Sequence, residues 1–232
     1  MRIAENIEML EIAAEGMVFH PVLIWDDKEV VLLDCTLPGK LELLEQAMAH
    51  TGFAPKDVTT LIITHQDMDH VGCAAEIRNF GAKLLAHEVE APYIQGDATP
   101  VRLADAEAEI RKSGNPGLEQ LEYLEQNKKA VAASFVPVDN LLRDGELLEL
   151  VGGIRVIHTP GHMPGHISLH ILRHNIIVAG DATISENGVL KGPNPQFTKP
   201  ENMPEANESL QKLLALNPQK ILCFHGGEAI PG

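Results

Sequence analysis

Leu61-Ile62-Ile63-Thr64-His65-Gln66-Asp67-Met68-Asp69-His70 sets four potential metal ligands within six residues, directly after an apolar run. Residues 58–64 are short, apolar and β-branched, and read as a buried strand. Gly72 and residues 74–80 read as the start of a helix. His65, Asp67, Asp69 and His70 therefore fall on a strand-to-helix turn, where the backbone can curl around a cation. Neutral imidazoles with carboxylates suit zinc, iron or manganese, whereas a softer site would call for cysteine thiolates. Helix capping accounts for one aspartate in such a turn, but not for two histidines and two aspartates together.

Working outward, residues 22–25 and 29–34 flank Asp26-Asp27-Lys28 and read as a hairpin. Pro38-Gly39 introduces a helix over about 40–50, with Leu41, Leu44 and Met48 at helical spacing and Gly52 as its stop. A strand is expected at 82–86. The second half begins near Phe135. Residues 146–150 and 154–158 flank Val151-Gly152-Gly153, a turn of hairpin chemistry, and 166–172 and 175–180 pair across Arg173-His174. A helix over about 204–216 leads to a final strand, 220–224. Each half thus runs strands, helix, strand, and two facing sheets with helices outside would bury such strands. Between His87 and Ser134 the pattern changes to helical segments (90–94, 104–112 and 118–132) punctuated by Gly96, Pro100 and Gly114-Asn115-Pro116-Gly117. Residues 1–232 are expected to form one domain carrying this helical insertion at about 87–134.

Composition narrows the partners. A formal charge of −15 with only 18 Lys and Arg would repel a phosphate backbone, so nucleic acid is not an expected partner. No apolar stretch approaches the roughly 20 residues needed to span a bilayer, and the first residues lack the apolar core of a signal peptide. Cys35, Cys73 and Cys223 are odd in number and widely spaced, as expected of reduced thiols in the cytoplasm. Cys73 and Cys223 lie near His70 and His225 in sequence, yet inert burial is the simpler reading of both.

His65-x-Asp67-x-Asp69-His70 resembles the H-x-H-x-D-H signature of the metallo-β-lactamase superfamily, with Asp67 in place of its second histidine. Thr159-Pro160-Gly161-His162, Gly180-Asp181 and Phe224-His225-Gly226 follow in the family's order, each after a strand-like run, so the resemblance covers nearly the whole chain. It implies an α/β (α+β) αββα four-layer sandwich with metals at one edge of the interface between sheets. It also implies a ligand set: His65, Asp67 and His162 for a first ion, Asp69, His70 and His225 for a second, and Asp181 bridging. Asp69 and Asp181 would serve catalysis as well.

Two divalent ions about 3.5–4 Å apart can share a hydroxide and polarise a carbonyl oxygen, lowering the pKa of the bound water to roughly 7. No Gly-x-Ser-x-Gly elbow competes with that metal-bound hydroxide as nucleophile. Asp67 adds one negative charge to the first site, which should weaken Lewis acidity and favour iron or manganese relative to zinc. The flavodiiron oxidoreductases of the same superfamily carry a carboxylate at this position too, although a glutamate. Two divalent ions are expected, zinc first, with iron or manganese as alternatives.

Other residues have weaker claims. His166, beside the second motif, is a substrate-facing or ligand-supporting residue. Asp34, before Cys35-Thr36-Leu37-Pro38-Gly39, resembles the family's Asp-Thr-Gly turn and is read first as stabilising that turn, then as supporting the metals. Asn194 or Gln196, in the stiff loop 192–198, could meet substrate. So could Tyr93 or Tyr123, the only tyrosines, both in the insertion, which in the family tends to roof the active site. The leading expectation is a cytoplasmic metal-dependent hydrolase of a small ester, thioester or lactone. The alternative is an iron-dependent oxidoreductase, diiron or mono-iron, handling O₂, NO or a persulfide. A non-catalytic binding module is disfavoured because every ligand position keeps a coordinating side chain.

Overall fold

A computed structural model of the chain describes residues 1–231. In chain order the first half comprises β1 (Arg2–Ala4), β2 (Ile7–Met9), β3 (Ile12–Ala14), β4 (Met17–Phe19), β5 (Val22–Trp25), β6 (Val30–Leu33), α1 (Leu41–Met48), β7 (Thr60–Ile63), α2 (Met68–Val71), α3 (Ala74–Asn79) and β8 (Lys83–His87). Three helices follow, α4 (Ala91–Gln95), α5 (Val101–Ser113) and α6 (Leu118–Ala133), then β9 (Asn140–Leu142). The second half comprises β10 (Leu147–Leu148), β11 (Ile154–His158), β12 (Ile167–Ile171), β13 (Ile176–Gly180), β14 (Ile184–Glu186), β15 (Val189–Gly192), α7 (Met203–Leu214), β16 (Lys220–Cys223) and β17 (Gly227–Ala229).

Two large sheets result, one ordered β1-β2-β5-β6-β7-β8-β9 and the other β10-β11-β12-β13-β16-β17. Three apolar layers separate four structural layers. Between the sheets, Val22, Ile24, Val31, Leu33 and Ile62 meet Val156, Ile167, Leu169, Val178 and Leu222. On the outer side of the first sheet, Leu23, Leu32, Leu61, Ile63 and Leu84 pack on Leu44 and Met48 of α1 and on Ala74 and Ile77 of α3. Beyond the second sheet, Ile157, Ile177, Ala179 and Ile221 are covered by Leu213 of α7. Central strands buried on both faces read as continuous apolar runs, because consecutive side chains enter opposite cores. This is the expected αββα sandwich.

Several boundaries move. Residues 2–19 form four strands of three residues each, too short for an alternating pattern to register. The second half does not begin at Phe135, because β9 still pairs with β8 in the first sheet. That pairing is parallel, so β8 and β9 need a long crossover, and α4, α5 and α6 are that crossover. Nor is 220–224 the last strand: β17 pairs antiparallel with β16. Strands β6, β7 and β8 run parallel in one sheet, as do β13 and β16 in the other. The turns after β6, β7, β13 and β16 then carry Asp34, His65, Asp181 and His225 to one edge of the sandwich.

Candidate metal centre

The first ligand turn is held by its own backbone and by α2. Asp67 ends the extended segment and caps α2, with the His70 and Val71 amides donating to its carbonyl. One turn of helix thus carries Asp69 and His70 toward the same point as His65. Gly180 ends β13 with φ +54, and a Cβ there would lie 2.7 Å from Nε2 of His166. Only glycine lets Asp181 follow this closely on the strand. Gly161 has φ +128 and lies flush on α7, where an added Cβ would sit 2.5 Å from Ala206, so His162 leaves the chain at a fixed height.

The seven side chains converge. Nε2 of His162 lies 3.3 Å from Oδ2 of Asp67 and 3.6 Å from Oδ2 of Asp181, while Nε2 of His65 is 3.5 Å from Oδ2 of Asp67. In the other half, Nε2 of His225 is 3.2 Å from Oδ2 of Asp69 and 3.5 Å from Oδ2 of Asp181. Nε2 of His70 lies 3.5 Å from Oδ1 of Asp181 and 3.8 Å from Oδ2 of Asp69. Tetrahedral ligands at about 2.0–2.1 Å from an ion stand about 3.3 Å from one another, so the spacings fit metal coordination. His65, Asp67 and His162 form one close group, and Asp69, His70 and His225 another; His65, His70 and Asp181 form a third between them. Nε2 of His65, Nε2 of His70 and Oδ1 of Asp181 are buried without a hydrogen-bond partner. Buried polar atoms are rarely left so, and a cation among them would satisfy all three.

Supporting groups select which nitrogen His65 and His70 offer. Nδ1 of His70 donates to Oδ2 of Asp34 at 2.9 Å, and Nδ1 of His65 lies 3.0 Å from the Thr64 hydroxyl, which itself donates to Asp34. Asp34 also accepts the Thr64 amide at 2.8 Å. It therefore stabilises its turn and orients a candidate ligand at once, so the second role stands level with the first. His166 is wholly buried: Nε2 accepts the Asp181 amide at 3.0 Å and Nδ1 lies 2.8 Å from the Thr159 hydroxyl. Of the two roles expected of His166, the substrate-facing one is corrected and the ligand-supporting one fits, since one nitrogen holds the Asp181 amide and the other meets the Thr159 hydroxyl.

Charge follows burial and partners. Burial opposes ionisation of Asp67, yet the adjoining His162, His65 and the Arg102 guanidinium hold its carboxyl well below the usual range. Burial likewise disfavours protonation of His70, but Asp34, Asp181 and Asp69 outweigh it and raise its pKa well above normal. For His225, burial is outweighed by Asp181 and Asp69, which lift it to about 9. His166 is pushed well down by burial and by the neighbouring histidines, consistent with a neutral ring.

Two charged residues of this network went unseen in the sequence. Arg102, in the first turn of α5, places Nε 2.7 Å and Nη2 2.6 Å from Oδ2 of Asp67. The extra negative charge of Asp67 is thus offset by a guanidinium, while its carboxylate oxygen remains a hard donor. Glu90 is fully buried, and its carboxylate accepts the amide and side chain of Gln66 and the amide of Gly165. It ties the first ligand turn to the second. An unbalanced Asp67 was the one sequence signal that a cation belongs nearby, but nothing in the spacing pointed to position 102.

The site opens on a cavity of about 350 Å³ lined largely by apolar side chains, among them Leu37, Met68, Tyr93, Leu103, Val131 and Phe135, with Asp67, Asp69, Asp181 and His225 at its polar end. Tyr93 lines it, and Tyr123 is exposed on α6 away from it. Asn194 is not among the lining residues; its side chain accepts the Gln196 amide within its own turn. From the same loop it is Phe197 that reaches the cavity, with Arg102 5.9 Å from its ring centre. The three cysteines are buried and free, and none joins a ligand group.

The sequence profile of the Metallo-beta-lactamase superfamily matches residues 20–225. The chain is 30% identical over 213 residues to the uncharacterized protein YobT of Bacillus subtilis (strain 168), covering 88% of this chain and 81% of that one. Among solved structures, a metallo-beta-lactamase family protein from Thermus thermophilus superposes with a TM-score of 0.78 at 24% identity, over 98% of this chain and 75% of that one. A metallo-beta-lactamase of Cronobacter sakazakii carrying a HARLDQ motif gives 0.68 at 19% identity, over 97% and 80%. These likenesses concern the fold.

Proposed function

The chain belongs to the metallo-beta-lactamase superfamily, and from that premise we propose that it is a metal-dependent hydrolase of a small ester, thioester or lactone with an apolar acyl part. The observation that carries this reading is the placement of the His and Asp groups at the polar end of a largely apolar cavity. In this reading His65, Asp67 and His162 hold one divalent ion, Asp69, His70 and His225 a second, and Asp181 reaches both. When bound, such ions activate water and polarise a carbonyl oxygen. The protein's own contribution is to fix geometry and exclude water. Asp34 and Thr64 orient His70 and His65, His166 holds Asp181, and the crossover helices shield the acyl part from solvent.

Zinc is the proposed metal. The oxidoreductase alternative rests on a carboxylate at position 67, and the Arg102 ion pair, which offsets its charge, supports the zinc reading over it. No helix among the described residues is long and apolar enough to cross a membrane; a small-molecule substrate met in the cytoplasm completes the proposal. Metal analysis of protein purified without added metal, followed by a panel of thioesters, esters and lactones of graded acyl length, tests it. Zinc content with turnover that rises with acyl length until the cavity is filled is the expected result. Metal-free protein that hydrolyses the panel, or an iron-loaded protein that consumes O₂ instead, would overturn it. Asp181→Ala should lose most of its metal and its hydrolysis together.

A further inference from the structure

We infer that Arg102 occupies part of the first metal position and competes with an ion there, so that the chain holds one divalent ion firmly and the other only weakly. The inference rests on the metallohydrolase reading and concerns how its two halves are filled. Nη2 of Arg102 lies 2.6 Å from Oδ2 of Asp67 and 3.3 Å from Nε2 of His162. Those are two of the three atoms that would bind the first ion, and both offer the guanidinium the lone pair that they would offer a metal. The guanidinium cannot shed its charge at any ordinary pH. A dication arriving beside it meets a like charge, and a carboxylate oxygen already shared with two N–H donors.

The second half has no such occupant. Asp69 pairs only with His70 and His225, and no Lys or Arg of the described residues bridges to Asp69 or Asp181. The position of Arg102 is also built rather than incidental. The Val101 amide donates to Oε1 of Gln66 at 2.7 Å, and Gln66 is the residue between His65 and Asp67. Buried Glu90 fixes the same Gln66 through its amide and its side chain. The ligand turn itself thus anchors the backbone one residue before Arg102. On the outer side, the Phe197 carbonyl lies 3.4 Å from Nη2. The Arg102 side chain is 45% exposed, which leaves it a path out when an ion displaces it.

The test is a titration of the chelator-stripped full chain with Zn²⁺ alone, with affinities read by competition against a chromophoric chelator and bound ions counted by native mass spectrometry. Wild type should take up its first equivalent at least about 100-fold more tightly than its second, as expected for a dication placed beside a fixed like charge. Arg102→Gln should tighten the second equivalent at least about tenfold and leave the first unchanged, because the repulsion acts on one half only. Asp67→Asn should remove only the weaker equivalent, and Arg143→Gln, which removes an equal charge from a surface pair with Glu88, should change neither. Two equally tight equivalents in wild type overturn the inference without any variant. An Arg102→Gln that weakens the second ion also overturns it, since Arg102 would then be orienting Asp67 for the metal. Wild type that binds no Zn²⁺ at all overturns the metallohydrolase reading as well.

Discussion

Thr64 and Asp34 decide what the buried histidines can do. With Nδ1 of His70 donating to Asp34, only Nε2 is left to face the site, and a carboxylate behind an imidazole raises its basicity as a ligand. Asp34→Asn keeps an acceptor for the Thr64 amide but removes that charge. It should weaken metal binding about 10- to 100-fold with little loss of fold, measured by chelator competition and far-UV dichroism; unchanged affinity would reduce Asp34 to a turn residue. His225 supplies a pH test. In the metal-free chain its pKa is raised to about 9, so the native state holds a proton that the unfolded state releases near the ordinary value. That contribution is fully present below the unfolded pKa of about 6.5 and is lost as pH rises through 9. The thermal midpoint of chelated protein should therefore fall across this window, and His225→Gln should flatten the fall. A metal-loaded sample, in which the ring must be neutral, should not show it.

Elements differ in how plainly the sequence announced them. The metal turn was readable because four ligands in one turn after a β-branched run have no simpler explanation, and β5, β6, β11 and β13 because their apolar runs end in clear turn chemistry. β9 was not: Asn140 and Leu141 are exposed and only Leu142 is buried, so its membership of the first sheet comes from pairing with β8. Arg102 and Glu90 were invisible for a related reason. Each matters through a partner distant in sequence, and neither sits in a recurrent pattern. The helices over the cavity make a prediction of their own. Tyr93 lines it and Tyr123 does not, so Tyr93→Phe should change relative kcat/KM across acyl substrates while Tyr123→Phe should not. If the Tyr93 hydroxyl stabilises an oxyanion, the loss should reach roughly 10²–10³-fold in rate. Metal content should be wild type in both. Equal profiles for the two variants would leave Tyr93 as wall only.

At the scale of the whole molecule, the candidate ligands come from both sheets: His65, Asp67, Asp69 and His70 follow β7, whereas His162, Asp181 and His225 follow strands of the second sheet. An ion held among them ties the two sheets together at one edge. Binding that favours the native state stabilises by mass action, about 2.7 kcal/mol when free metal stands 100-fold above its dissociation constant. Removing metal should then lower the thermal midpoint by several degrees, reversibly on adding Zn²⁺, as read by scanning calorimetry. A midpoint indifferent to chelation would mean that the sheets need no such tie.

The parallel pairing of β8 with β9 reaches further than architecture. Neighbouring parallel strands can never be joined by a tight turn, so this stretch of chain has a minimum length of about 10–12 residues whatever it does. Above that floor its length is free, because both ends are pinned on adjacent strands and loop closure costs little more as a loop grows. Residues 88–139 are therefore ground on which natural variation can reshape the cavity wall by lengthening, shortening or exchanging helices while the edge that carries the candidate ligands stays folded. Whatever is exchanged must still open its second helix with a cation opposite Asp67, or give up that aspartate with it.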